Sequence, residues 1–121
     1  MAQAFTHEVL SGSTNGLGVK ITSTATLGQT LHTAVAGTTS RDEVWIWAVN
    51  NDADGETRTL TIEFGGATSP DNLIVLPIPA GAGPVLCVPG FPLRNALVVS
   101  AFADETADVA CYGYVNRVTV T

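Results

Sequence analysis

Lysine occurs once in this sequence, at Lys20, and charge of either sign is scarce: 13% of the 121 residues are Asp, Glu, Lys or Arg, about half the usual share. The four arginines, Arg41, Arg58, Arg94 and Arg117, are scattered, and the net charge is −6. Binding a nucleic-acid backbone needs clustered cations, so nucleic-acid partners are not expected. An acidic surface gives no attraction to anionic lipid. No apolar run approaches the ~20 residues that span a bilayer. "MAQAFTHEVL" has no basic segment leading into a long apolar stretch, so synthesis and folding in a cytoplasm are expected, without a signal peptide. Only two cysteines are present. Cys87 and Cys111 each sit in an apolar, strand-like run and are expected to be buried free thiols, with a disulfide between them as the alternative.

A helical period is also missing. Twelve glycines and six prolines punctuate runs rich in Val, Ile, Thr and aromatics, the pattern of a β-sandwich or barrel. About eight strands are expected: Phe5–Leu10, Val19–Thr24, Val44–Asn50, Thr57–Phe64, Leu73–Leu76, Val85–Val88 (closed by Pro89-Gly90), Ala96–Phe102 and Val109–Val120. Leu31–Val35 is a short extended piece. Asn15-Gly16 and Ser69-Pro70-Asp71-Asn72 carry turn chemistry. "ADETAD" reads as a turn, and Pro77 and Pro79 mark an edge or a loop. The expected fold is all-β, a single-domain antiparallel sandwich resembling a jelly roll. An immunoglobulin-like sandwich is the alternative, but its Cys…Trp…Cys spacing is absent. Residues 1–12 form either an N-terminal arm or a first strand, and residues 13–121 the sandwich.

The stretch "EVWIWAVNNDADGETRTLTIEFGG" holds the main candidates. Side chains alternate along a strand, so Trp45 and Trp47 share a face with Glu43, opposite Val44, Ile46 and Ala48. If this strand pairs with Thr57–Phe64 as a hairpin, two registers compete. One puts both indoles in the core. The other puts Val44, Ile46 and Ala48 beside Leu60, Ile62 and Phe64, and leaves the indoles outside with Thr59, Thr61 and Glu63. The second is preferred because its core has no polar atom. Trp45, Trp47, Thr59, Thr61 and Glu63, with Tyr112 and Tyr114, are then interface candidates, since exposed aromatic patches mark contact sites. Ordinary core aromatics remain the competing reading.

No residue pattern calls for catalysis, a cofactor or a metal. "NNDADGE" resembles the start of a calcium loop but begins with Asn50 and has Thr61 where a bidentate Glu is required. His7 and His32 are isolated and read as surface or half-buried strand residues. A Ser-His-Asp set stays open, because its members need not be neighbours. The carboxylates at Asp42–Glu43 and in "ADETAD" read as solvated loop charges.

The pieces "LHTAVAGTTSRDEVWIWAVNND", "RTLTIEFGGATSPDN", "IPAGAGPVLCVPGFPLRN" and "VVSAFADETADVACYGYVNRV" together resemble the small β-sandwich capsid decoration, or cement, proteins of tailed bacteriophages. The resemblance covers roughly Leu31 to Val118 and implies a non-enzymatic virion structural protein. Such a protein would be a homo-oligomer (a trimer in preference to a dimer), with the major capsid protein as partner and the outer capsid surface as its location. Its buried contacts would be the strand faces bearing Trp45/Trp47 or Tyr112/Tyr114, or instead residues Met1–Gly12 as an arm that orders on the shell. The alternative is a carbohydrate-binding module of a head fibre, spike or tail, with the paired aromatics stacking on sugars and Asn50, Asn51 and Asp52 bonding hydroxyls.

Overall fold

Each strand in the first half of the chain pairs with its mirror image in the second half. A computed structural model describes residues 2–121, which form β1 (Gln3–Val9), β2 (Val19–Lys20), β3 (Gln29–Thr33), β4 (Arg41–Asn50), β5 (Arg58–Phe64), β6 (Leu73–Ile78), β7 (Val85–Leu93), β8 (Val98–Ala103) and β9 (Val109–Val120). The pairings β2–β9, β3–β8, β4–β7 and β5–β6 are nested, as in one long hairpin, and all are antiparallel. β4–β9 and β5–β8 contacts wrap that hairpin into two sheets. One has five strands, ordered β1-β9-β4-β7 with β2 also on β9. The other has four, ordered β3-β8-β5-β6. This is the jelly-roll arrangement.

The strand count is nine because the extended piece at Leu31 belongs to a true strand, β3. β2 is shorter than expected. β7 does not stop at Pro89-Gly90 but continues to Leu93, absorbing its prolines at a sheet edge through two register shifts against β4, which is where proline is tolerated. Pro77 likewise lies in an edge strand, β6. Asn15 and Gly16 form the expected turn, with φ of 54° and 87° and a Leu17 N–H bond to the Thr14 carbonyl. β1 is a strand rather than a loose arm, and all of its residues are exposed.

β4 and β5 are not hairpin partners. They lie in opposite sheets, joined by the turn at Asp52–Gly55. The facing of β4 nevertheless follows the preferred pattern. Val44, Ile46 and Ala48 are fully buried and share one core with Val88, Cys111 and Val115 of their own sheet and with Leu60, Ile62, Val99 and Ala101 of the opposite one. Each of the valine, leucine and isoleucine side chains contributes about 1.5–3 kcal/mol by leaving water. The outward face of β4 carries Trp45 and Trp47, both half-buried.

Candidate functional site

Two rows of side chains cross the outside of the five-stranded sheet. In one, Val9 of β1 lies opposite Tyr114 of β9, and Tyr114 opposite Trp45 of β4. In the other, Tyr112 lies opposite Trp47, and Trp47 opposite Leu86 of β7. The tryptophans and tyrosines that the sequence offered as separate candidates thus share one face. The Trp45–Trp47, Trp45–Tyr114 and Trp47–Tyr114 ring centroids lie 6.0, 6.5 and 6.1 Å apart, with planes within 24° of parallel. Three rings that are mutually this distant cannot make a single face-to-face column, so they pave the sheet side by side. His7 extends the paving, its ring 5.5 Å from Tyr114.

Glycines make room for the paving. Trp45 reaches across to β7 at Gly90, where an added Cβ would come within 2.8 Å of the indole. Tyr112 lies against Gly18, where a Cβ would come within 2.6 Å of the phenol ring. Tyr112 stays 44% exposed, and Val9 and Leu86 at the two ends of the rows are 50% and 44% exposed. Trp45 Nε1 and Asn116 Oδ1 have no hydrogen-bond partner. The result is an apolar face with sparse polar groups, and Arg41 and Glu43 together at one end, 3.8 Å apart.

At the other end the face dips into an open groove of about 590 Å³ lined by Trp47, Val49, Tyr112, Asn50, Asn51 and the loop Gly81–Pro84. The side chain of Asn50 is turned inward and fully used. Its Nδ2 donates to the carbonyls of Glu56 and Ile78, both at 2.8 Å, and its Oδ1 accepts from Asp52 N–H. Asp52 accepts from Glu56 N–H at 2.7 Å and lies 3.6 Å from Arg58. Of the three residues considered for sugar hydroxyls, Asn51 alone is exposed.

Thr59, Thr61 and Glu63 do not stand beside the tryptophans. They belong to the outer side of the other sheet, and Thr61 and Glu63 are buried at 7% and 1% exposure. Glu63 is covered by a strap, residues 22–28, folded over that side. Glu63 accepts hydrogen bonds from Thr26 Oγ1 (2.6 Å), Gly28 N–H (2.7 Å) and Ser100 Oγ (2.7 Å). Burial alone would raise its pKa, but these three donors outweigh it and hold the carboxyl below the usual range.

A second cluster, expected at the surface, is also buried. Asp42 is fully buried rather than solvated, and so is His32. Arg117 donates to Asp42 Oδ1 from Nε at 2.7 Å and to Oδ2 at 3.0 Å, while His32 Nε2 lies 2.7 Å from Oδ2 and Val35 N–H 3.1 Å. Burial pushes the Asp42 pKa up, and the bonds from Arg117 and His32 bring it below its ordinary value. Ser11 completes a Ser-His-Asp grouping in composition only. Its backbone N–H donates to His32 Nδ1 at 3.0 Å, and its hydroxyl accepts from Thr33 N–H. The imidazole therefore has no free nitrogen to activate that hydroxyl, and the cluster pins the Ser11 loop and β3 to β4. The signal was present in the sequence: Asp42 has the same parity on its strand as Val44 and Ile46.

Cys87 and Cys111 are buried free thiols. They sit on β7 and β9 with β4 between them, so their backbones are about 9–10 Å apart by two strand spacings, beyond disulfide reach. Compared with protein-family models, with curated proteins and with solved structures, the chain finds no match in any of the three.

Proposed function

We propose that this protein is a non-enzymatic structural component of a virion, a capsid decoration protein that attaches through its aromatic face to the outer shell and braces neighbouring capsomers. The observation that carries this reading is the paving of Trp45, Trp47, Tyr112 and Tyr114 on the outside of a stiff sheet. Rigid aromatic rings give contact area at low entropic cost, and a contiguous apolar face of this kind marks a contact surface. Low overall charge fits a chain whose surface is largely covered by its partners, and the acidic balance fits a position away from packaged nucleic acid. The specific assignment to a phage capsid comes from the sequence resemblance. The test is to add purified protein to undecorated capsids and to measure binding and resistance to heat and chelator. Saturable binding that is lost in Trp45→Ala/Trp47→Ala supports the reading, and failure of the wild type to bind removes it.

The groove favours a second reading, a saccharide-binding module. Trp47 and Tyr112 would stack on a sugar ring while Asn51 and the Gly81–Pro84 backbone bond its hydroxyls. No charged residue lines the groove, so a neutral glycan is the expected class. Polysaccharide pull-down with wild type and Tyr112→Ala separates the two readings.

A further inference from the structure

Five strands lie at the edges of the two sheets; β2 is only two residues long, and three of the other four are protected against further pairing. β7 carries Pro89 and Pro92 and two register shifts, β6 carries Pro77, and β3 is broken by a register shift between Thr30 and His32. Prolines and bulges are the usual means of blunting an edge. β1 has neither. Its seven residues hold an unbroken register against β9, from Gln3↔Val120 to Val9↔Tyr114. All seven are exposed, including Ala4, Thr6 and Glu8 on the inner side, which no second sheet covers.

We infer that β1 is a self-pairing edge: two copies of this chain join antiparallel through β1, across a twofold axis at Thr6, to make one continuous ten-stranded sheet from two five-stranded ones. The hydrogen-bond phase fixes this register. Ala2 and Thr121 exchange both backbone bonds, and antiparallel ladders alternate. Ala4, Thr6 and Glu8 therefore spend their bonds on β9, while Gln3, Phe5, His7 and Val9 direct their N–H and C=O groups to the open edge. A twofold at Thr6 sets Phe5 against His7 of the second copy and Gln3 against Val9 of the second copy, so the open groups meet one another. It is also the register that pairs all seven residues. Glu8, the one carboxylate of β1, falls opposite Ala4 of the second copy, and the two carboxylates stay apart. Phe5, 70% exposed, lands on the outer side next to His7 of the second copy, which already stacks on Tyr114. The two aromatic faces thus become one stripe on the same side of the joined sheet. Of the two assemblies expected, the edge builds the dimer and not the trimer, whichever partner the aromatic face takes.

The test is the mass of the full chain by sedimentation over a range of concentrations. Wild type is expected to show two-chain particles that dissociate on dilution. His7→Pro removes an N–H that faces the open edge and leaves the bonds to β9 in place, so pairing should weaken about thirtyfold through the loss of one bond per chain. Thr6→Lys sets two cations face to face on the axis and should weaken pairing about fivefold. Mixing Thr6→Lys with Thr6→Glu should restore two-chain particles, which a misfolded variant could not do. Wild type as single chains or as three-chain particles at the highest attainable concentration overturns the inference. So does a two-chain mass that Thr6→Lys leaves unchanged.

Discussion

Arg117 grips Asp42 through two hydrogen bonds, 2.7 and 3.0 Å long, between the neighbouring strands β9 and β4, at a point where the carboxylate has no access to water. Truncating Arg117 strands a buried charge, and such losses cost about 3–5 kcal/mol. Arg117→Ala should sit near the lower end, because its side chain is 29% exposed and His32 remains beside the carboxylate. Urea unfolding of Arg117→Ala should show a midpoint well below wild type with little change in slope.

Acidification should weaken the fold through two groups. Asp42 and Glu63 both have depressed pKa values in the folded protein. Their contribution is fully present above the unfolded values of about 4 and is lost as pH falls through the folded ones. Chemical denaturation midpoints should hold level from pH 7 to about 5 and then fall steadily below about 4.

Glu63 also anchors the strap. Glu63→Ala leaves Gly28 N–H and the Thr26 and Ser100 hydroxyls without their shared acceptor, at about 1–3 kcal/mol for each group that stays buried. Hydrogen exchange at Gly28 and protease nicking within residues 22–28 should rise while β4 and β9 stay protected.

Gly90 has φ of +79° and lies under the Trp45 indole. Gly90→Ala must displace that ring, whereas Gly37→Ala, also at positive φ but with open space around it, carries backbone strain alone. The tryptophan emission of Gly90→Ala should shift relative to both wild type and Gly37→Ala, and the Trp45–Trp47 contribution to near-UV circular dichroism should decrease.

Burial pushes the Cys87 thiol up to about 11 and Cys111 higher still. Neither should react with a thiol reagent at pH 8 until the protein unfolds, when both should react. Unfolding frees these thiols to ionise, so their contribution to stability is intact below the unfolded value of about 8.5 and declines as pH rises toward the folded ones. Rapid labelling of the native protein would contradict this placement.

The sequence made local chemistry readable where one strand or one turn decides it. The alternation of β4 from Val44 to Ala48, the Asn15-Gly16 turn and the full extent of β9 follow from residues within a few positions of each other. Chain-distant partners were not readable. Glu63 looks solvent-facing until the strap closes over it from 35 and 37 residues away. Asp42 looks like a loop charge until Arg117 arrives from 75 residues downstream. Adjacency in sequence suggests a β4–β5 hairpin, whereas a jelly roll sends these consecutive strands to opposite sheets. The correct facing of Trp45 and Trp47 survived because polarity decides which side of a strand faces inward, whichever strand lies opposite.

The nested pairing also sets an order of events during synthesis. β9 lies inside the five-stranded sheet, between β4 and the β1/β2 edge, so a nascent chain that has not yet released residues 109–120 has nothing to seat β1 or β2 and leaves one flank of β4 unpaired. Folding should therefore wait until β9 has left the ribosome, and then be slow, as it is for proteins built from contacts between distant parts of the chain. During that wait the bare flank of β4, with Trp45 and Trp47, is open to the wrong partner.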